Sequence, residues 1–312
     1  MGTPTSASSQ EGYSLFKERL TANVARGKTT FVQILRNKLS LAGLIIILFF
    51  LILAVFAPYL VGPYQSYLAL YPNDLPPSSS HLLGTDHFGK DILNVVVYGS
   101  QISLLIGFVA SLAAMILGTS LGLIAGYYGK MTDQVLSRIT DFFLVVPWLP
   151  FVLVIVSILG SSLLTIVFAI ALVSWPTTTR VIRSQVLSLK ERQFIERARA
   201  VGAGKGYILA RHILPNVMPL VWAEAVLTVS SAIFTEAFLS FFGLGPQGTE
   251  TWGQMVNYAY SGSAMLTGKW WWFLPPGLCI TVLVLGFAML GYGIEEILNP
   301  ALRRRGGAVK GG

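Results

Sequence analysis

The chain has 312 residues, of which 54% are hydrophobic and 12% are charged, and its formal net charge is +8. Soluble domains carry about 25% charged residues, so this composition excludes an ordinary soluble domain. The basic residues lie in loops beside long apolar runs and are not interleaved with aromatic residues, which favours membrane topology over nucleic-acid binding as their explanation. The single cysteine, Cys279, excludes an intramolecular disulfide and a cysteine metal cluster.

Six apolar segments are long enough to cross a bilayer, because a helix needs about 20 residues to span about 30 Å of hydrocarbon. They cover residues 41–61, 102–127, 142–159, 163–179, 217–242 and 272–298. The first has no cleavage site after it, so it predicts a retained anchor rather than a signal peptide. Residues 160–162 predict a tight hairpin, and Pro176 weakens the inner end of the fourth segment. The sequence therefore predicts an all-α integral membrane protein with six transmembrane helices.

Six crossings place both termini on one side of the membrane, and the basic residues select that side. All but two of the 22 Lys and Arg residues fall on the face that carries the termini, the exceptions being Lys90 and Lys269. Both termini are therefore predicted to be cytosolic. The chain divides into a cytosolic N-terminal tail at 1–38, a first helix with its outer segment at 39–101, a core transmembrane domain at 102–298 and a cytosolic C-terminal tail at 299–312.

No set of residues in the sequence predicts catalysis. Gly27-Lys28-Thr29 ends like a phosphate-binding loop, but Ala22 stands where the first glycine is needed and no buried strand precedes it. The three histidines lack metal-ligand spacing, and no activated nucleophile can be assembled. We therefore expect no catalytic residue, cofactor or metal in this chain, so any ATP-driven work would draw its energy from another subunit.

The loop from residue 180 to 215 holds eight of the Lys and Arg residues and lies between two apolar runs. Within it, residues 191–202 predict a short helix. Phe194, Ala198 and Val201 follow each other at i, i+4 and i+7, so they form a narrow apolar stripe with a small residue at its centre. A small side chain allows a partner to approach closely, which favours a protein groove as the binding site of this helix.

A second stripe on the same predicted helix is charged. Arg192, Glu196 and Arg199 repeat the i, i+4, i+7 spacing, and such charges can fix the register of a partner. Gly202 suits the left-handed cap that ends a helix. An amphipathic helix lying on lipid headgroups is the alternative, although three apolar positions would bury little area there.

The same segment resembles the EAA loop of ABC-importer permeases. The resemblance rests on Glu196-Arg197-Ala198, on Gly202 and on the sequence His-Ile-Leu-Pro at 212–215. Arg197 replaces the alanine of the family pattern, and His212 replaces its usual isoleucine. In that family this segment is the coupling helix that docks into an ATP-binding subunit. Together with the two stripes, the resemblance assigns ATPase coupling to Phe194, Glu196, Arg197, Ala198, Arg199, Val201, Gly202 and Pro215.

Further blocks are similar to the C-type subunit of the dipeptide/oligopeptide (Dpp/Opp) branch of these importers. They are residues 83–86, 89–91, 98–100, 126–129, 236–245, 270–277 and 299–303. The resemblance implies the type I ABC-importer permease fold in a prokaryotic cell membrane. It also implies a second permease subunit, two cytosolic ATPases that bind ATP and Mg, and an extracellular or periplasmic substrate-binding protein. Di- or oligopeptides are the expected substrate, with oligosaccharides, nickel or glutathione as alternatives.

Glu224 and Glu236 lie within the fifth apolar segment, where a carboxylate is costly unless it faces protein or water. Both are candidates for lining a pathway that contacts cationic or hydroxyl groups of a solute. The alternative is a structural hydrogen bond between helices, and for Glu236 contact with interfacial water is the simpler explanation.

Two other functional classes stay open on the sequence alone. A stand-alone secondary transporter or channel is expected to contain paired intramembrane charges, broken helices or inverted repeats. The two glutamates and several prolines are the only such features in this chain. A membrane scaffold without transport is the other class, and it predicts no solute-dependent stimulation of an ATPase.

Overall fold

The computed structural model describes residues 32–64 and 71–298. Most of the predicted N-terminal tail and all of the predicted C-terminal tail lie outside these ranges. Within them, every regular element is a helix, apart from one isolated β-bridge between Thr85 and Asp91. The helices are α1 (Lys38–Val55), α2 (Ala57–Val61), α3 (Ile92–Tyr128), α4 (Lys130–Val145), α5 (Trp148–Leu159), α6 (Leu163–Lys190), α7 (Gln193–Ala200), α8 (Lys205–Ile208), α9 (Leu214–Leu239), α10 (Trp252–Ser261) and α11 (Trp270–Leu298).

Five segments are long and apolar enough to cross a membrane: α1, α3, α6, the run from Lys205 to Leu244 and α11. The run from Lys205 to Leu244 includes α8 and α9 and two π-helices, Leu209–Ile213 and Ser240–Leu244. A sixth crossing exists only if the bent pair α4 and α5 counts as one span. The prediction of an all-α protein with membrane-crossing helices is confirmed, and the number of crossings is five or six.

The prediction of one continuous helix at 142–159 is wrong. The chain bends by 89° between α4 and α5. Val146, which precedes Pro147, has extended backbone angles, because the proline ring disfavours helical geometry in the residue before it. The apolar helix α5 has only 12 residues and is about 18 Å long, which is too short to cross a bilayer alone.

Two other predicted spans have different ends in the structure. The first apolar segment breaks at Phe56, because α2 begins there with a proline in its first turn. The fourth continues through the buried Pro176 to Lys190, well past residue 179. Tertiary packing therefore keeps α6 helical where the sequence pattern is weakest.

Glycines let α3 and α6 pack closely. Gly118, Gly122 and Gly126 recur at every fourth position of α3 and face α6. A Cβ atom on Gly122 would lie 2.9 Å from the Ile182 Cβ atom and 2.9 Å from the Thr179 carbonyl oxygen. Small residues at this spacing allow helix backbones to approach each other in a membrane. The three glycines therefore let α3 and α6 pack in close contact.

The long helix α3 joins the two ends of the bundle. Near its start, the Trp252 indole of α10 donates a hydrogen bond of 2.7 Å to the Val96 carbonyl oxygen. Near its end, the Tyr127 ring lies 5.8 Å from the Arg199 guanidinium of α7. We refer to these as the α10 end and the α7 end.

Candidate functional site

The short helix predicted at 191–202 is present as α7, and its end has the predicted geometry. Gly202 has φ +82°, the left-handed conformation that glycine adopts without steric cost. The Ala203 amide donates to the Ala198 carbonyl, and the Gly202 amide donates to the Arg199 carbonyl, both at 3.0 Å. This pair of bonds is a Schellman motif, which stops the helix sharply and turns the chain toward α8.

One side chain, Ile195, anchors α7 to the bundle. It is fully buried in a cluster that includes Ile182 of α6, Ile213 and Val217. Ala198 lies one turn further along and packs against the same cluster. Sequence reasoning missed Ile195 and placed Ala198 on an outward stripe. The signal was the i, i+3 spacing of Ile195 and Ala198 on one face.

The outward face of α7 stays uncovered in this chain. Phe194 is 41% exposed and Val201 is 85% exposed, and Glu196, Arg197 and Gly202 are exposed as well. A cavity of about 410 Å³ opens beside this face, lined by Leu189, Arg192, Gln193, Phe194 and Arg197. The predicted coupling residues therefore divide into an inward group that holds the helix and an outward group that is available to a partner.

Contacts of the remaining predicted coupling residues tie α7 to neighbouring helices. The Arg199 guanidinium lies over the Tyr127 ring at the end of α3, a cation–π geometry. Pro215 is exposed in the first turn of α9, directly after the π-helix Leu209–Ile213. The Phe194 ring lies 6.5 Å from the His212 ring, measured between centroids.

Two ion pairs join α4 to α6 near the α7 end, and sequence reasoning found neither. Arg183 donates two hydrogen bonds to Asp133, of which the Nη2–Oδ2 bond is 2.7 Å long. Arg180 Nη2 lies 2.8 Å from Asp141 Oδ1 in an exposed pair. The partners are 50 and 39 residues apart, so only the folded chain brings them together.

Glu224 lies on the wall of a cavity of about 650 Å³ between α5, α6, α9 and α11. The wall includes Trp148 and Phe234, which contribute aromatic surface, and Ser174 and Thr228, which contribute hydroxyl groups. The position of Glu224 in α9 is thus compatible with the predicted contact to a solute, and that role stays a prediction.

Glu236 is in a different environment. Its side chain is fully buried, and its Oε1 atom accepts a hydrogen bond of 2.6 Å from Ser240. The hydroxyls of Ser103 and Thr251 also face the carboxyl group. The expectation of simple contact with interfacial water is wrong, because the chain from residue 245 into α10 folds back over this part of α9. Glu236 is not part of the wall on which Glu224 lies.

Comparison with known proteins identifies the family. Residues 118–304 match the family described as the binding-protein-dependent transport system inner membrane component. The chain belongs to this family of transport permeases. Residues 27–77 of the permease also match the N-terminal transmembrane domain of oligopeptide transport permease C.

Three relatives illustrate the similarity of this permease over nearly its full length. The dipeptide transport system permease protein DppC of Alkalihalophilus pseudofirmus is 41% identical over 90% of this chain and 91% of its own. The oligopeptide transport system permease protein OppC of Bacillus subtilis is 36% identical over 97% of this chain and 98% of its own. The glutathione transport system permease protein GsiD of Pectobacterium atrosepticum is 35% identical over 87% of this chain and 90% of its own.

At the α10 end of the permease, a buried ion pair lines a second cavity. Lys90 bonds Glu250, and their side chains are 10% and 13% exposed. Burial raises the pKa of Glu250 above its ordinary value, although the hydrogen bond from Lys90 opposes the shift. The cavity beside the pair measures about 790 Å³ and includes His87, Gln247 and Tyr258 in its lining.

Asp74 organises a second group of charges at the α10 end. Its Oδ2 atom lies 2.8 Å from Lys269 Nζ and 3.1 Å from His87 Nδ1. Burial acts to raise the pKa of Asp74, but the hydrogen bonds from Lys269 and His87 outweigh it and hold the pKa below its ordinary value. These contacts fasten the segment before α3 to the segment before α11. Within residues 32–64 and 71–298, no group of three or more His, Cys, Asp or Glu residues could hold a metal ion.

Proposed function

We propose that this permease is one of two membrane-spanning subunits of an ATP-driven importer of di- or oligopeptides. The dipeptide and oligopeptide permeases among its relatives, which align over at least 90% of this chain, support the peptide assignment. The glutathione permease is a relative of similar identity, so glutathione is the second substrate to test.

The observation that carries the coupling role is the two-sided character of α7. Ile195 fixes one side in the bundle, while Phe194 on the helix and Val201 directly after its end are exposed. An exposed aromatic side chain beside arginines is the composition that protein interfaces favour. We assign this outward face to a cytosolic ATPase subunit, which binds the ATP and Mg. This permease itself binds no cofactor in the proposal.

The proposed orientation follows from the basic residues, which concentrate at the α7 end. Both termini then lie in the cytosol, and the α10 end faces the outside, where an extracellular or periplasmic binding protein delivers the solute. A second permease completes the pathway. Closure of the ATPase dimer displaces α7, and the Ile195 cluster passes that displacement to α3, α6 and α9, which shifts the bundle between two packings.

Reconstitution of the four-component transporter with its binding protein in proteoliposomes tests the function. ATP-dependent uptake of a labelled dipeptide is expected, and glutathione is measured in parallel. Uptake by this permease alone, without ATPase subunits, would instead identify a secondary transporter. ATP-dependent uptake of glutathione but of no other peptide would restrict the substrate assignment to glutathione.

Variants of the outward face test the coupling role. The exposed part of Phe194 corresponds to about 80 Å², so its loss on docking removes about 2 kcal/mol and weakens ATPase attachment more than tenfold. Phe194→Ala and Val201→Asp are therefore expected to lower uptake and ATPase co-purification together. Tyr260→Ala is the matched control for co-purification, since Tyr260 is also an exposed aromatic residue but lies in α10, at the other end of the bundle. Normal co-purification of both α7 variants would refute the coupling role.

Cysteine labelling tests the orientation. Because Cys279 is the only cysteine, a Cys279→Ala background allows single cysteines to be placed at chosen sites. A cysteine at Val201 is expected to react with a membrane-impermeant reagent only from the cytosolic side, and one at Gln247 only from the outside. The reverse pattern would contradict the proposed topology.

A further inference from the structure

The described lining of the cavity beside Glu224 contains an acidic side chain and no basic one. Among the described residues that line it, Glu224 is the one ionisable side chain, and none of the others is Lys, Arg or His. The ion pairs of residues 32–64 and 71–298 do not include Glu224. The charge that acts on it from α11 is that of Glu295, which is also negative. A carboxylate at membrane depth is costly without a positive partner, and the described part of the chain supplies none there.

The hydroxyl groups of the wall are oriented by the helix backbone. Most of them donate their proton to a carbonyl oxygen of the main chain at 2.8–3.3 Å, and these are Ser174, Thr228, Ser230, Ser231 and Thr235. A hydroxyl that has donated its proton still offers oxygen lone pairs as acceptors. The wall is therefore rich in acceptors, while its side-chain donors reduce to the Trp148 indole and the Thr177 hydroxyl.

A lining of this kind favours an ammonium ligand over a carboxylate ligand. An ammonium group carries three donors, no acceptor and a positive charge, so it satisfies both the hydroxyl oxygens and the carboxylate. A carboxylate ligand would meet oxygen lone pairs and the Glu224 charge, and both contacts are repulsive. The aromatic faces of Trp148 and Phe234 add surface that attracts cations. The cavity volume of about 650 Å³ lies within the range of small-molecule sites.

We propose that this cavity binds the positively charged amino group of a peptide in transit, with Glu224 as its counter-ion. The inference rests on the proposed function and specifies how the pathway recognises its substrate. The peptide enters this subunit with its amino end against α9, and its carboxyl end is directed away from Glu224. Selection for a free amino group then occurs within the membrane.

The test uses the assembled transporter in proteoliposomes, with the binding protein saturated by a dipeptide that has neutral side chains. Glu224→Gln keeps the shape and removes the charge. It is expected to lower uptake at least about tenfold, the loss that follows removal of one charge-assisted hydrogen bond. ATP hydrolysis stimulated by the loaded binding protein is expected to continue. Glu224→Asp should restore uptake to within about threefold, because it restores the charge.

The matched control is Glu295→Gln, which removes a nearby carboxylate that does not line the cavity. It is expected to leave uptake within about twofold of wild type. Uptake by Glu224→Gln within that same margin, or an equal loss in Glu224→Asp, would overturn the inference. Should Glu224→Gln fail to assemble, Ser231→Ala takes its place, since it deletes one exposed acceptor. It is expected to lower uptake about threefold, and unchanged uptake would overturn the inference.

Two further outcomes distinguish the peptide site from a metal-cation site and from a failure of the proposed function. Replacing sodium and potassium salts by sucrose at constant osmolarity is expected to leave wild-type uptake unchanged, whereas a dependence on the metal cation would assign Glu224 to that ion and refute the peptide site. Absence of ATP-dependent peptide uptake in the wild-type transporter would refute the proposed function itself. Normal wild-type uptake that is insensitive to Glu224 would refute only the present inference.

Discussion

The buried ion pair of Lys90 and Glu250 gives a stability prediction with a defined size. Removing one partner of a buried pair leaves an uncompensated charge and costs about 3–5 kcal/mol, whereas replacing both partners by apolar residues is often neutral. Lys90→Met is therefore expected to destabilise the α10 end by that amount, and Lys90→Met/Glu250→Leu by far less. The exposed pair of Arg180 and Asp141 is the matched control, because its side chains are 61% and 51% exposed and such pairs contribute about 0–1 kcal/mol.

Hydrogen exchange in lipid nanodiscs measures this local stability. The Asp86 amide donates to the Lys90 carbonyl oxygen at 3.0 Å, so it reports opening of the loop that carries Lys90. A cost of 3 kcal/mol or more corresponds to at least about a hundredfold loss of protection. Arg180→Met should change protection at its own helix less than about tenfold. Equal losses for the buried and the exposed pair would refute the reasoning from burial.

The same variant also predicts a pH dependence. Burial already raises the pKa of Glu250, and Lys90 is the group that opposes the shift. Without Lys90, the pKa of Glu250 rises further, so the folded state favours the protonated carboxyl group. Its destabilisation is then largest at high pH and decreases as the pH falls toward the raised pKa. Lys90→Met should lose less protection at pH 5 than at pH 8, and a cost that is constant across this range would contradict the assignment.

Three further predictions concern packing and charge. Gly122→Ala should lower the stability by about 1–3 kcal/mol, since its Cβ atom would lie 2.9 Å from that of Ile182. Gly277→Ala should be neutral or stabilising, because its Cβ atom meets no neighbour within 4 Å. Thermal unfolding of the two variants measures the difference. Ile195→Ala should cost about 2–5 kcal/mol and raise protease sensitivity around α7, which an undisturbed digestion pattern would disprove. The depressed pKa of Asp74 stabilises the fold above its ordinary value of 3.8 and ceases to do so as the pH falls through the lowered value, so Asp74→Asn should flatten the acid limb of a stability–pH curve.

The sequence predicted the helices whose evidence is local and missed the features that depend on packing. The apolar run at 217–242 is helical in the structure, as both its hydrophobic pattern and its length predicted. The sequence did not predict the bend at Pro147, because the residues next to it on both sides are hydrophobic. The long start of α3 was underestimated because residues 92–101 include the polar residues Asn94, Ser100 and Gln101, of which Asn94 and Ser100 are buried against the rest of the fold.

The same distinction between local evidence and tertiary packing applies to the residues of the candidate site. Gly202 was predictable because a left-handed cap follows from one residue and its place in a helix. Ile195 was not chosen, since in a helix of eight residues a single large side chain decides which face is inward, and Phe194 beside it competes for that role. The burial of Glu236 could not be read from spacing, because it depends on the chain after residue 243 folding back toward α9.

The proposed coupling role and the proposed solute-recognition role meet on one helix, α9. Val217 and Val221 of α9 pack in the cluster that holds Ile195, and Glu224 follows Val221 by three residues, about 4.5 Å along the axis. A displacement of α7 therefore reaches the cavity wall through a single rigid element. The π-helix at Leu209–Ile213 lies just before α9, and π-helical segments are frequent at functional sites. In the proposed function, α9 is the element that joins the cluster around Ile195 to the cavity wall that carries Glu224. We therefore expect a displacement of α7 to change the geometry around Glu224 as a unit.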